Sequence, residues 1–237
     1  MANDIAMGLN ATTGAGATNG AGAIAIGANS TAYGGSSVSN GANVAIGASA
    51  VAGNSGATSA QALALGAGAT ATNWSTDAIG AWSTASGNYS SALGSQARAT
   101  GDQATAVGAF TSATGTNSTA VGQGASASTN NSVALGYKSV ANSATLGTAG
   151  FTPVGGTAIS AATAAGEVSM GTSGGERRIT NVAAGLNATD AVNVSQLQSE
   201  DAKVNNLSNN LSNITNGGGI KYFHTNSTLA DSSATGT

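Results

Sequence analysis

Between Ala64 and Ser143 the chain repeats a fourteen-residue pattern without losing phase, and few folds accept so short a period. Gly66, Gly80, Gly94, Gly108, Gly122 and Gly136 each close an Ala-Leu-Gly, Ala-Ile-Gly or Ala-Val-Gly triplet. A second row, Ala71, Ala85, Ala99, Ala113, Ala127 and Ala141, keeps the same step. A fixed short period marks a solenoid in which each repeat buries its surface on the next.

Each period reads as two short strands and two turns. Residues in phase with the triplet glycine are uniformly small, as in Ser90, Ala92 and Gly94 or Ala104, Ala106 and Gly108, and side chains alternate across a strand, so these share one face. The second strand repeats this with Ala97, Ala99 and Gly101. Two walls this small predict a mainly β fold, a flattened parallel roll whose opposing faces nearly touch. The outward faces differ. Thr84, Ser86, Arg98, Thr100, Ser112 and Thr114 face water on the second strand. On the first lie Ile26, Ile46, Leu65, Ile79, Leu93, Val107, Val121 and Leu135, with a second apolar position at Ile24, Val44, Leu63 and Val133. Stacked at about 4.8 Å per coil, they form a stripe that a lone chain would expose, so self-association about an axis is expected.

Composition narrows the function. Only 6% of the 237 residues are charged, 36 are glycine, one is proline and the formal charge is −3. Such a chain lacks both a conventional core and the charge of a disordered one, and the period decides for order. Arg98 and Lys138 are the only basic residues before Arg177, so no basic patch for nucleic acid exists. Without cysteine there are no disulfides or thiolate metal sites. Met1-Ala2-Asn3-Asp4 has neither part of a signal peptide, and no run reaches the length of a membrane helix.

Taken in order, Ala6-Met7-Gly8, Ala25-Ile26-Gly27 and Ala45-Ile46-Gly47 are triplets separated by nineteen or twenty residues, the surplus (such as Tyr33 to Ser37) being assigned to bulging turns. Residues 150–166, with Phe151, Pro153 and Ile159, fit no coil and read as an irregular insertion or cap. Val168-Ser169-Met170-Gly171 looks like one last coil. The head is expected over 1–175, a neck over 176–197, a coiled coil over 198–216, and over 217–237 the lead-in to a further, truncated head segment.

The neck assignment rests on Arg177-Arg178-Ile179-Thr180-Asn181-Val182-Ala183-Ala184-Gly185 followed by Thr189-Asp190-Ala191-Val192-Asn193-Val194-Ser195-Gln196-Leu197. With the repeats ahead of it, this resembles the head and neck of the YadA-like trimeric autotransporter adhesins. The resemblance implies a homotrimer of left-handed parallel β-rolls, with the outward Ile, Leu and Val row as the trimer interface. It makes Arg178, Ile179, Asn181, Val182, Asp190, Val192 and Leu197 neck positions, and Arg177 and Arg178 contacts between subunits. It also implies an extracellular piece of a protein displayed on a bacterial surface, whose signal peptide and outer-membrane anchor lie outside these residues. The stalk can be read independently: Thr189 or Asp190 is the expected N-cap, with Leu197, Val204 and Leu211 at heptad position a and Glu200, Leu207 and Ile214 at d. Its two and a half heptads are too short to stand alone.

Candidates for chemistry are few, and no catalytic, cofactor or metal site is expected. His224 is the only histidine, and Asp77 and Asp102 have no carboxylate partner. Trp82 and Phe110, on the turn after the triplet glycine, and Trp74 and Tyr89, on the opposite turn, form a candidate ligand surface. Three functions compete: an adhesin attaching to host cells or to matrix proteins of the collagen, fibronectin or laminin type; an ice-binding solenoid with outward Thr and Ser rows; and a left-handed β-helix acyltransferase. The last lacks a histidine in its roll, and neither rival needs a neck.

Overall fold

The computed structural model describes residues 4–15, 22–34, 42–54, 61–153, 156 and 158–216. The chain divides into two units, Met1–Arg177 and Arg178–Thr237. In the first, a three-residue strand such as Ser91–Leu93 ends at the triplet glycine, a turn follows, a return strand such as Arg98–Ala99 runs back, and a second turn leads to the next coil. Like strands stack in parallel, giving a ten-stranded triplet sheet and a nine-stranded return sheet among the described residues. The register is a strict step of fourteen from Leu63 to Leu135, with Ala64, Ala78, Ala92, Ala106, Ala120 and Ala134 in line.

The core lies between the two sheets, and every buried hydrophobic side chain among the described residues is alanine. Methyl groups from facing walls are all that fits, which is the close approach the small residues predicted. Some hydroxyls at the edges are absorbed locally, Ser83 and Thr111 donating to the carbonyls of Gly80 and Gly108, both at 2.8 Å, whereas the buried hydroxyls of Ser90 and Ser118 meet no partner among the described residues. The turns carry the strain. At Gly94 φ is +135°, and a methyl group there would lie 2.5 Å from the carbonyl oxygen of Gly108. Gly87 has an ordinary φ, yet a methyl would sit 1.9 Å from the Gly101 carbonyl oxygen, so backbone on the next coil excludes any side chain.

The three early coils are longer, with Ile5 aligned on Ile24, Ile24 on Val44 and Val44 on Leu63. Their surplus residues, expected as bulging turns, lie mostly outside the described residues. Flanking side chains still join the coils: the buried Asn43 amide donates to the Tyr33 carbonyl at 2.7 Å and accepts from the Ala62 N–H at 2.9 Å. After the return strand Val140–Ala141 the chain leaves the stack, forms an isolated antiparallel bridge between Ala149 and Thr163, and rejoins the triplet sheet at Val168–Ser169. Glu167 fastens that excursion, its Oε1 accepting the Ser143 N–H at 2.7 Å while its own N–H donates to Ser132 Oγ at 3.1 Å.

One expectation, the start of the helix, needs correction here. The Arg177 guanidinium closes the end of its own roll, donating to the carbonyls of Tyr137 and Met170 and to Ser139 Oγ. It belongs to the first unit, because three carbonyl and hydroxyl acceptors at the roll's open end satisfy its donors. The helix, α1 (Val194–Thr215), starts after Asn193 rather than at Thr189 or Asp190. Asn193 accepts the Gln196 N–H, and Gln196 Oε1 accepts the Asn193 N–H, both at 3.2 Å, which is a capping box. Asp190 is committed elsewhere, its Oδ2 accepting the N–H groups of Leu186 and Asn187. The expected head lead-in at 217–237 and His224 lie outside the described residues.

Candidate association face, neck and ligand surface

Outward residues of the triplet sheet pair from coil to coil in one unbroken apolar row: Met7, Ile26, Ile46, Leu65, Ile79, Leu93, Val107, Val121 and Leu135. All eight residues expected at the interface stand on it, and Met7 extends it. At about 4.8 Å per coil the row is roughly 40 Å long. Its side chains range from half-buried to exposed, Leu93 being 47% exposed. Beside it runs a second row, apolar at Ile5, Ile24, Val44 and Leu63, polar at Asp77, Ser91, Thr105 and Thr119, and apolar again at Val133 and Val168. The apolar face is therefore two residues wide at its ends and one wide at its centre.

Asp77 is the one ionisable group in these rows, and burial pushes its carboxyl above the usual range. The folded chain thus holds that proton more tightly than the unfolded chain. The group carries no penalty below its unfolded pKa, and the penalty grows as pH rises towards the raised folded value. Asp77→Thr, matching the residues at 105 and 119, is expected to raise the thermal midpoint at pH 7 and leave it unchanged near pH 3. Equal shifts at both pH values would remove desolvation as the cause.

In the second unit, Ile179, Asn181, Val182, Val192, Asn193 and Val194 line a cavity of about 280 Å³. Asn181 takes φ 61°, turning the chain there, while Arg178 stays exposed. The capping residues also hold the neck segment: Asn193 Nδ2 donates to the Val182 carbonyl at 3.2 Å, and the Gln196 amide exchanges two hydrogen bonds with the backbone of Gly185. The Asp190 carboxyl is held below its usual range by the N–H of Asn187 and then that of Leu186. Leu197, Val204, Leu207, Leu211 and Ile214 recur at heptad spacing along α1, and each is exposed in the single chain. Asn193→Ala is expected to cost about 1 kcal/mol and to lower the helical circular dichroism signal. Unchanged helicity and melting would mean that the cap is idle.

The four aromatic candidates fall on two edges. Trp82 (65% exposed) and Phe110 (55%) occupy the turn after the triplet strand, with φ of 60° and 58°. The Trp82 ring lies over Gly68 one coil earlier, where an added methyl would sit 2.5 Å from Cε3. Trp74 and Tyr89 stand on the opposite turn and, with Asn88, Asp102 and Gln103, line a shallow groove of about 360 Å³. Asn88, Asp102 and Gln103 are the groove residues that sequence reasoning left out of the site. Their signal was phase, since Asn88 and Asp102 follow Trp74 at steps of fourteen. Among the described residues no group of carboxylates and imidazoles could hold a metal ion, and no helix is long and apolar enough to cross a membrane.

Comparison with known proteins agrees with this geometry. A family model described as the YadA head domain repeat matches residues 78–97, 85–111 and 113–139, and one described as the coiled stalk of trimeric autotransporter adhesin matches 178–220. The autotransporter adhesin EhaG of Escherichia coli O157:H7 is 39% identical over 92 residues, 30% of this chain and 6% of that protein. The chain thus spans a small part of that relative. The crystal structure of the collagen-binding domain of the Yersinia adhesin YadA superposes with a TM-score of 0.63 at 26% identity, covering 85% of this chain and 99% of that one. The C-terminal YadA-like domain of a Burkholderia pseudomallei protein is 36% identical over 47% of this chain and 53% of its own, with a TM-score of 0.41. Roll, neck and stalk are thus similar, part by part, to the YadA-like trimeric autotransporter adhesins, whose head repeat and stalk match within residues 78–139 and over 178–220.

Proposed function

We propose that the chain acts as a homotrimeric, non-enzymatic adhesin on the bacterial surface, carried by an outer-membrane anchor, and attaches to host cells or to matrix proteins of the collagen, fibronectin or laminin type. The observation that carries this is the unbroken apolar row from Met7 to Leu135, which only further copies of the same face would cover along its whole length. The exposed heptad stripe of α1 supports it, because a helix with an apolar seam and no buried residue wants identical neighbours. The likeness to a collagen-binding domain over 85% of the chain supports the matrix class. Three copies of each surface feature then multiply weak contacts. An ice-binding face gains nothing from the fold: Arg98 and Val140 interrupt the return-sheet row of Thr84, Ser112 and Ser126. A solid-phase assay of the purified chain against immobilised collagen, fibronectin and laminin, and against host cells, tests the proposal. Saturable binding to one of them is expected, and no retention on any would contradict it.

A further inference from the structure

We propose that the groove of Trp74, Asn88, Tyr89, Asp102 and Gln103 is a binding site for a neutral sugar ring, the exposed end of a host glycan; this rests on the adhesin reading and names a ligand for it. The first argument is cost. Tyr89 sits at φ 58°, a left-handed conformation disfavoured for a bulky side chain by about 1–2 kcal/mol, and its side chain is 61% exposed. The same turn position elsewhere holds Ser75, Gln103, Asn117 and Asn131, so the turn does not require an aromatic residue. A large ring kept in a strained and exposed place gains no compensating burial in the fold, and such outliers cluster at ligand sites.

The second argument is rigidity. The groove crosses three coils whose turns are laced by backbone bonds, Tyr89 N–H to the Trp74 carbonyl and Gln103 N–H to the Asn88 carbonyl, both at 2.7 Å. Asp102 Oδ1 accepts the Asn88 N–H at 2.8 Å and its Nδ2 at 3.4 Å. The platform is formed before any ligand arrives.

The third argument is chemistry. Two aromatic residues on successive coils offer apolar surface for the C–H face of a pyranose. Around them, the Asn88 and Gln103 amides each supply donors and acceptors, and Asp102 Oδ2 enters no hydrogen bond described, which suits a ring of hydroxyls. The lone carboxylate repels acidic sugars. A cationic peptide would use the aromatics and the carboxylate but not the amide donors, and Asp102 already spends one oxygen on Asn88. At about 360 Å³ the site is at the small end of ligand pockets, matching a terminal sugar rather than a polymer. It lies on a turn edge, off the apolar face of the triplet sheet.

The test uses the whole chain on an array of neutral and sialylated glycans, with cationic and neutral peptides beside them, and tryptophan fluorescence titrations with neutral monosaccharides in a Trp82→Phe background. Binding to neutral glycans is expected, with about tenfold weaker affinity in Tyr89→Asn and in Asp102→Asn. Both variants should fold, since Asn131 holds φ 56° in the same turn position and Asn130 accepts the Thr116 N–H as Asp102 accepts that of Asn88; their melting curves check this. Retention of cationic peptides alone, of sialylated glycans alone, or of nothing on the array, or variants that bind as well as the parent, would overturn the proposal. If binding to matrix protein or cells persists in that case, adhesion stands without the sugar site. If it is absent too, the adhesin reading fails with it.

Discussion

Gly87→Ala lowers the thermal midpoint of the head by about 10 °C, the largest effect expected of any single methyl group added to this chain. The methyl would stand 1.9 Å from the Gly101 carbonyl oxygen and 2.3 Å from its carbon, with no flexible side chain in between to give way. Relief requires one coil to lift off the next, and that breaks the stacking hydrogen bonds on both sides, such as Ser86 N–H to the Ala99 carbonyl and Ser91 N–H to the Ala104 carbonyl. A penalty of about 3 kcal/mol follows, at the upper end for overpacking. Because a solenoid is held by nearest-neighbour contacts, the damage divides the stack at this point. Gly124→Asn should do almost nothing. There φ is +66°, which Asn10 and Asn29 adopt at equivalent turns, and an added methyl meets only Lys138 Cγ at 3.4 Å. Equal melting of the two variants would refute the idea that coil spacing, rather than turn conformation, fixes the glycines.

The second large effect concerns the apolar row. Leu93→Glu with Val107→Glu places two carboxylates on adjacent coils at the centre of the stripe, where it is one residue wide. Both side chains point away from the alanine core, so the roll of a single chain has no steric reason to unfold. If copies cover the row, each lost side chain removes about 1.5–3 kcal/mol of burial, and three copies of the pair sum to the order of 10 kcal/mol. Sedimentation should then report single chains that keep their β circular dichroism. An assembly of unchanged mass would show that the row is not the joint.

How much of this was legible beforehand depended on whether a feature repeated. The step of fourteen, the alanine walls and the row from Ile26 to Leu135 follow from phase, because parallel stacking puts equivalent residues in register and every coil restates the same demand. Trp82 over Gly68 was legible in the same way, one period apart, had small and large residues been paired by phase. The Arg177 clamp was not legible, for it joins residues some forty apart, across an insertion that breaks the period. Glu167 is the same case, reaching back to Ser143 and Ser132. The helix start was missed for another reason. Thr189, Asp190 and Asn193 are all good caps, and only Asn193 has glutamine three positions on to complete a box. Of the candidate site, the aromatics drew notice as rare residues. Asn88 and Asp102 stood beside them in the reading but, like Gln103, were not assigned to the site, since polar turn residues are common throughout the chain.

The most direct test is the mass of the purified chain by sedimentation equilibrium at low micromolar concentration. Three times the chain mass of 22.2 kDa is the predicted result. A folded, β-rich species of one chain mass would contradict it, since the row from Met7 to Leu135 would then rest in water.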